Sequence, residues 1–193
     1  MNAPLRTLMS IEQFHAWLDA REATLPDDEP KWELFEGVPE MQAQEQWLHG
    51  RLKNKIMRAI EAALLTSGAP YEAAIDSLGV VVGRSAYVPE VVVFPKGRIK
   101  DEDRAAPDPV LVVEVLSPSS RAKDLREKSV GYGRVPTIAH YLAVDPEGGC
   151  VHHFKRQGKV LSAGIMPLTE GEVQLDPPGI TLSVAGLLPE SEP

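Results

Sequence analysis

The ten residues Leu111-Val112-Val113-Glu114-Val115-Leu116-Ser117-Pro118-Ser119-Ser120, "LVVEVLSPSS", decide how the chain is read. Branched aliphatics surround Glu114, and an apolar run of this kind predicts a strand buried on both faces. An ionised carboxylate in such a place needs a partner or a cation, or it takes up a proton. Strand parity puts Glu114 on one face with Val112 and Leu116, and Val113 and Val115 on the other. Ser117, Ser119 and Ser120 then read as turn and N-cap residues.

Working outward, "RAKDLREKSVGYG" after Ser120 predicts a helix stopped by Gly131 and Gly133 and then by Pro136. "IAHYLAV" and "CVHHFKR" flank Asp145-Pro146-Glu147-Gly148-Gly149 and form a hairpin candidate. Before Leu111 comes a polar loop, "PKGRIKDEDRAAPDP", and before that two β-branched runs, "LGVVVG" and "YVPEVVVF". A helix over roughly residues 44 to 66 follows from Leu48, Leu52, Ile56, Ile60 and Leu64 at every fourth position, with Gly68-Ala69-Pro70 ending it. "KWELFEGVPEM" reads as a hairpin about Glu36-Gly37, and "TLPDDEP" as the break before it. Ser10-Ile11-Glu12-Gln13 has the form of a capping box, opening a helix with Ile11, Phe14, Trp17 and Leu18 on one face. From Asp176 the chain reads as a short strand and an irregular end. Strands and helices mix without strict alternation and without internal repeats, which predicts one mixed α/β fold, a sheet flanked by helices.

Glu90 repeats the anomaly of Glu114, a carboxylate inside "YVPEVVVF". Paired strands hold opposite residues about 5 Å apart, so the two acids could share a cation. Hard oxygen ligands of this kind suit Mg²⁺ or Mn²⁺. Asp108 is the more obvious partner by pattern, but six extended residues separate it from Glu114 by roughly 20 Å, too far for one ion. Lys128, flanked on the predicted helix by core-facing Leu125 and Tyr132, could reach the end of the Glu114 strand and polarise a water molecule. Lys123, Arg126 and Glu127 point elsewhere on that helix. Plainer readings stand beside these: Glu114 ion-paired to Lys128, Glu90 facing solvent on an edge strand, Lys128 lying along the core rim. His152 and His153, being adjacent on a strand, face opposite sides and read as one surface and one core residue.

The 193-residue chain is 43% hydrophobic and 25% charged, which suits a soluble globular protein. No apolar run approaches the ~18 residues of a membrane span. The first residues carry no apolar segment of signal-peptide length, so a cytoplasmic location is expected. Cys150 is the only cysteine, which removes an internal disulfide and a cysteine-rich zinc site. A net charge of −8 argues against broad adhesion to nucleic acid and leaves a local basic groove open. There is no Gly-x-Ser-x-Gly elbow for a serine nucleophile and no glycine-rich phosphate loop.

"PEVVVF", "PDPVLVVEVLSPSS", "DLREKSVGY" and "HYLAVDP" together resemble the Uma-two family of bacterial nucleases, over roughly residues 30 to 155. The resemblance implies the restriction-endonuclease-like fold of the PD-(D/E)xK superfamily in a single domain over 1–193. Residues 1–29 would then be an N-terminal helical extension and 176–193 an irregular tail. It implies Mg²⁺-dependent (or Mn²⁺-dependent) DNA cleavage, with Glu90, Glu114 and the Val115 carbonyl holding the ion and Lys128 as the catalytic lysine. In that family the lysine has moved from two residues after the strand acid, here Leu116, to the next helix. Glu33 and His49 match two further family positions and are implied as accessory residues. Where the family has Asp this chain has Glu90, whose extra methylene displaces the carboxylate by about a bond length. No membrane partner is implied; cutting both DNA strands would call for a homodimer. The alternative is a catalytically degenerate nuclease-fold module that binds nucleic acid or a protein partner, and a small-molecule phosphohydrolase reusing the same acids is a third reading.

Overall fold

The computed structural model describes residues 8–24, 31–43 and 46–190. Helix α1 spans Ile11–Glu22 and opens on the expected capping box, with the Ser10 side chain accepting from the Gln13 N–H and the Gln13 side chain accepting from the Ser10 N–H. Strands β1 (Trp32–Phe35) and β2 (Val38–Met41) form the hairpin, and Glu36 and Gly37 turn it with φ of 46° and 83°. Helix α2 (Trp47–Ser67) ends at Gly68 in the left-handed region, φ 64°. Its row Leu52, Ile56, Ile60, Leu64 is buried, while Leu48 at the same spacing is exposed. Most of "TLPDDEP" and the expected start of α2 at residues 44 and 45 lie outside the described residues.

The main sheet has six strands in the order β10-β9-β8-β7-β6-β3. These are β3 (Tyr71–Ile75), β6 (Val91–Pro95), β7 (Leu111–Val115), β8 (His140–Asp145), β9 (Cys150–Gln157) and β10 (Val160–Ala163). Only β7 and β8 run parallel; the crossover between them carries a π-helical segment, Lys123–Lys128, that continues into α3 (Ser129–Gly133). A parallel pair requires such a long connection. A smaller antiparallel sheet, β2-β1-β5-β4, adds β4 (Val80–Val82) and β5 (Ser85–Tyr87). One face of the main sheet, with Val91, Val93, Val113 and Val115, packs on α2 and on a hairpin of β11 (Glu172–Leu175) and β12 (Ile180–Ser183) followed by α4 (Val184–Leu187). The other face, with Val92, Val112, Leu116 and Ala143, packs on the small sheet and the crossover. Among the described residues, no helix is long and apolar enough to cross a membrane.

Four expectations change. The run "YVPEVVVF" is two strands in two sheets: β5 ends at Tyr87, Val88-Pro89-Glu90 turns, and β6 starts at Val91. Pro89 offers no N–H for a continuous ladder there. Gly131 does not stop the crossover helix but lies within α3, where an added Cβ would sit 2.7 Å from the Tyr87 ring; the helix ends at Gly133. The tail from Asp176, expected as one short strand and an irregular end, instead completes a hairpin with β11 and adds α4, burying Leu175, Ile180, Leu182, Val184 and Leu187. Strands β3 and β10 were not foreseen, because each is an edge strand rich in alanine or polar residues and owes its form to its partner.

Burial along α2 should govern its share of stability. Ile60→Ala, at a fully buried position, is expected to cost about 2–5 kcal/mol in urea unfolding, whereas Leu48→Ala on the same row should stay within about 0.5 kcal/mol of wild type.

Candidate functional site

The seam between the two sheets is lined by acids. The β6–β7 pairing runs Val93↔Leu111, Val92↔Val112, Val91↔Val113, and Glu90 and Glu114 are the residues that flank its last pair. Glu114 lies on the Val112–Leu116 face, as strand parity requires, and is buried. Glu90 occupies the turn where the chain leaves the small sheet, which fixes it at the mouth of the seam with its side chain 18% exposed. Its carboxylate accepts the Val115 N–H on Oε2 at 3.1 Å and meets His49 Nε2 on Oε1 at 2.9 Å. His49 comes from the first turn of α2.

Lys128 reaches into the seam from the crossover. Its Nζ lies 2.9 Å from Glu114 Oε1, 3.0 Å from Glu33 Oε1 and 3.5 Å from Asp124 Oδ1. The structural ion pair weighed for Glu114 is therefore present, and Lys128 is buried among acids rather than lying along the rim. Tyr132 donates to the same Glu114 oxygen at 2.6 Å. Glu33, which could equally have been an exposed hairpin charge, is 1% exposed; Oε1 accepts the Val88 N–H at 2.9 Å and Oε2 accepts Gln42 Nε2 at 2.7 Å. Glu33 thus holds β1 to the β5–β6 turn and Lys128 to both.

Sequence spacing missed three members of this cluster. In an α-helix Lys123 would point away from Lys128, but the wider π-helical turn brings residues five apart toward the same side. Lys123 therefore faces the seam too, 2.7 Å from Glu40 and 3.6 Å from Glu33. Asp124, polar and one turn before Lys128, is buried, and its Oδ1 finds no hydrogen-bond donor. Tyr132 reads from sequence only as a core residue; its hydroxyl contact with Glu114 needs the coordinates. Asp108 is exposed in its loop and pairs with Arg98 at 2.7 Å, away from the seam.

Burial sets the electrostatics. It raises Glu114 well above the usual carboxylate range; the Lys128 charge opposes this, and the nearby Glu90 adds to it. Glu90 is raised as well, again by burial, with its hydrogen bond to Glu114 pulling back. The two carboxyls are thus close enough to share a proton. Burial alone would lower Lys128, but Glu114, Glu33, Asp124 and Glu90 together push it well up, so it stays an ammonium. Asp124 rises to about 6, chiefly through burial and then through Glu114. Two hard carboxylates close together in the seam, both raised by burial, make a donor set that fits a small divalent ion.

None of the curated proteins matches the chain. A solved structure, described as "a putative nuclease belonging to DUF820" from Anabaena variabilis, superposes with a TM-score of 0.67 at 19% identity, over 93% of this chain and 97% of that one. It shares the mixed α/β fold with this chain. Residues 11–185 match the Uma2 family, described as "Putative restriction endonuclease", well beyond the 30–155 in which the sequence motifs lie, and the chain belongs to that family.

Proposed function

We propose that the protein is a metal-dependent endonuclease that hydrolyses DNA phosphodiester bonds at the Glu90–Glu114 seam. Glu90, Glu114 and the Val115 carbonyl would hold Mg²⁺ or Mn²⁺. An ion there supplies charge neutralisation for the phosphodiester and acidifies a water molecule. The observation that carries this reading is the convergence of two acids distant in the chain, Glu114 buried and Glu90 at the mouth of the seam, with the Lys128 ammonium 2.9 Å from Glu114.

The other residues divide the work. Lys128 and Tyr132 both donate to Glu114 Oε1, which leaves Oε2 as the ligand atom. Because its neighbours hold Lys128 protonated, it acts as a donor, orienting water or stabilising charge on a phosphate oxygen, and not as a base. Glu33 and Asp124 keep the ammonium in place from either side. His49 orients Glu90 through Oε1, and Val115 does so through its N–H. These two contacts hold the Glu90 side chain in the seam, at the position where the resemblance implies Asp, and they favour a working site over a degenerate one.

Supercoiled plasmid with Mg²⁺ tests the reading. Wild type should nick it, and Lys128→Ala and Glu114→Ala should each be slower by about 100-fold or more. Equal nicking by all three removes the proposal, while retention of DNA by a wild type that never cuts points to the binding module.

The acids also predict a pH dependence. Asp124 rises from 3.8 to about 6, so between those values the native state holds a proton that the unfolded state has lost. The charge penalty of burying Asp124 is therefore absent below about pH 4 and greatest above about pH 6. Asp124→Asn should be increasingly stabilising as pH rises from 4 to 7, by on the order of 2 kcal/mol at neutrality, in urea unfolding across that range.

A further inference from the structure

Strands β8 and β9 bring a second set of ligating side chains together at the far end of the hairpin. Asp145 pairs directly with Cys150, and Ala143 with His152, so Asp145, Cys150 and His152 project from one face. Their ligand atoms all lie within 4.8 Å of one another. Cys150 Sγ is 3.9 Å from Asp145 Oδ2 and 3.9 Å from His152 Nε2. In a tetrahedral zinc site the bond lengths put a thiolate sulfur about 3.6 Å from a nitrogen or oxygen ligand, so the two sulfur contacts need to shorten by only a few tenths of an ångström.

We propose that Asp145, Cys150 and His152 bind a zinc-class divalent ion, with a fourth position open to water or another ligand. The donor set of one thiol, one imidazole and one carboxylate is softer than the Glu90–Glu114 pair and selects a different metal. Two further features support it. Asp145 is 1% exposed, yet its Oδ2 already carries a cation, the Arg121 guanidinium at 2.5 Å. Arg121 is 43% exposed, so it can swing into solvent and yield that place without disturbing the core. Gly148 donates its N–H to Asp145 Oδ1 at 2.9 Å, and a Cβ at 148 would collide with the carboxylate, so the turn is shaped around this acid. A single cysteine excludes a cysteine-rich zinc centre but not this mixed one. The site does not depend on the nuclease reading.

Cobalt is the probe. The full chain carrying Glu90→Gln and Glu114→Gln, which removes the carboxylate pair, should develop a thiolate-to-cobalt charge-transfer band and strong tetrahedral d–d bands on addition of Co²⁺. Cys150→Ser should abolish the charge-transfer band, and His152→Ala should weaken Zn²⁺ binding by more than about tenfold, the lower end of what even an outer-shell change costs. Arg121→Ala, by removing the competing cation, should tighten Zn²⁺ binding. Circular dichroism checks that each variant is folded; should Cys150→Ser fail that check, His152→Ala and Arg121→Ala decide. No charge-transfer band at millimolar Co²⁺, or Zn²⁺ affinity unmoved by His152→Ala and Arg121→Ala, overturns the proposal.

Discussion

Several carboxylates buried around one ammonium are the constraint on which this structure turns. Glu114, Glu33 and Asp124 each lie within 3.5 Å of Lys128 Nζ, and Glu90 is a close neighbour of Glu114. Taking so many charges out of water is costly unless they neutralise one another, take up protons or hold a metal. The acids come from β1, the β5–β6 turn, β7 and the crossover, so meeting this electrostatic demand also fixes how two sheets and a helix sit together.

That demand explains local features which have no reason of their own. The chain breaks at Pro89 between sheets, and the break delivers Glu90 to the seam instead of burying it in a ladder. The crossover winds as a π-helix over Lys123–Lys128, which turns Lys123, Asp124 and Lys128 toward the same acids. Gly131 lets α3 lie against the Tyr87 ring, and the next residue, Tyr132, reaches Glu114. A tighter helix or a bulkier residue at 131 would pull the lysine or the tyrosine out of register with the β7 carboxylate.

Much of this was legible from residues alone. A charged residue within an apolar run is an anomaly that sequence displays openly, which marks Glu90 and Glu114, and a fourfold apolar period marks α2. Glu33 and His49 were visible only through family resemblance, because an acid in a hairpin and a histidine near a helix start are ordinary in themselves. The angular consequences of a π-turn do not show in spacing rules built on 3.6 residues per turn, so those rules turn Lys123 away from the seam and give Asp124 no part in it. Edge strand β3, "YEAAI", has no propensity signal because pairing with β6 supplies what its side chains do not. The Asp145–Cys150–His152 cluster depends on cross-strand register, which composition conceals.

The central claim is that Glu90 and Glu114 share a divalent ion. Crystals equilibrated with Mn²⁺ and measured for anomalous scattering test it most directly. The account predicts a peak between the two carboxylates, within about 2.5 Å of an oxygen from each. A saturating Mn²⁺ soak that leaves that position without a peak would contradict it.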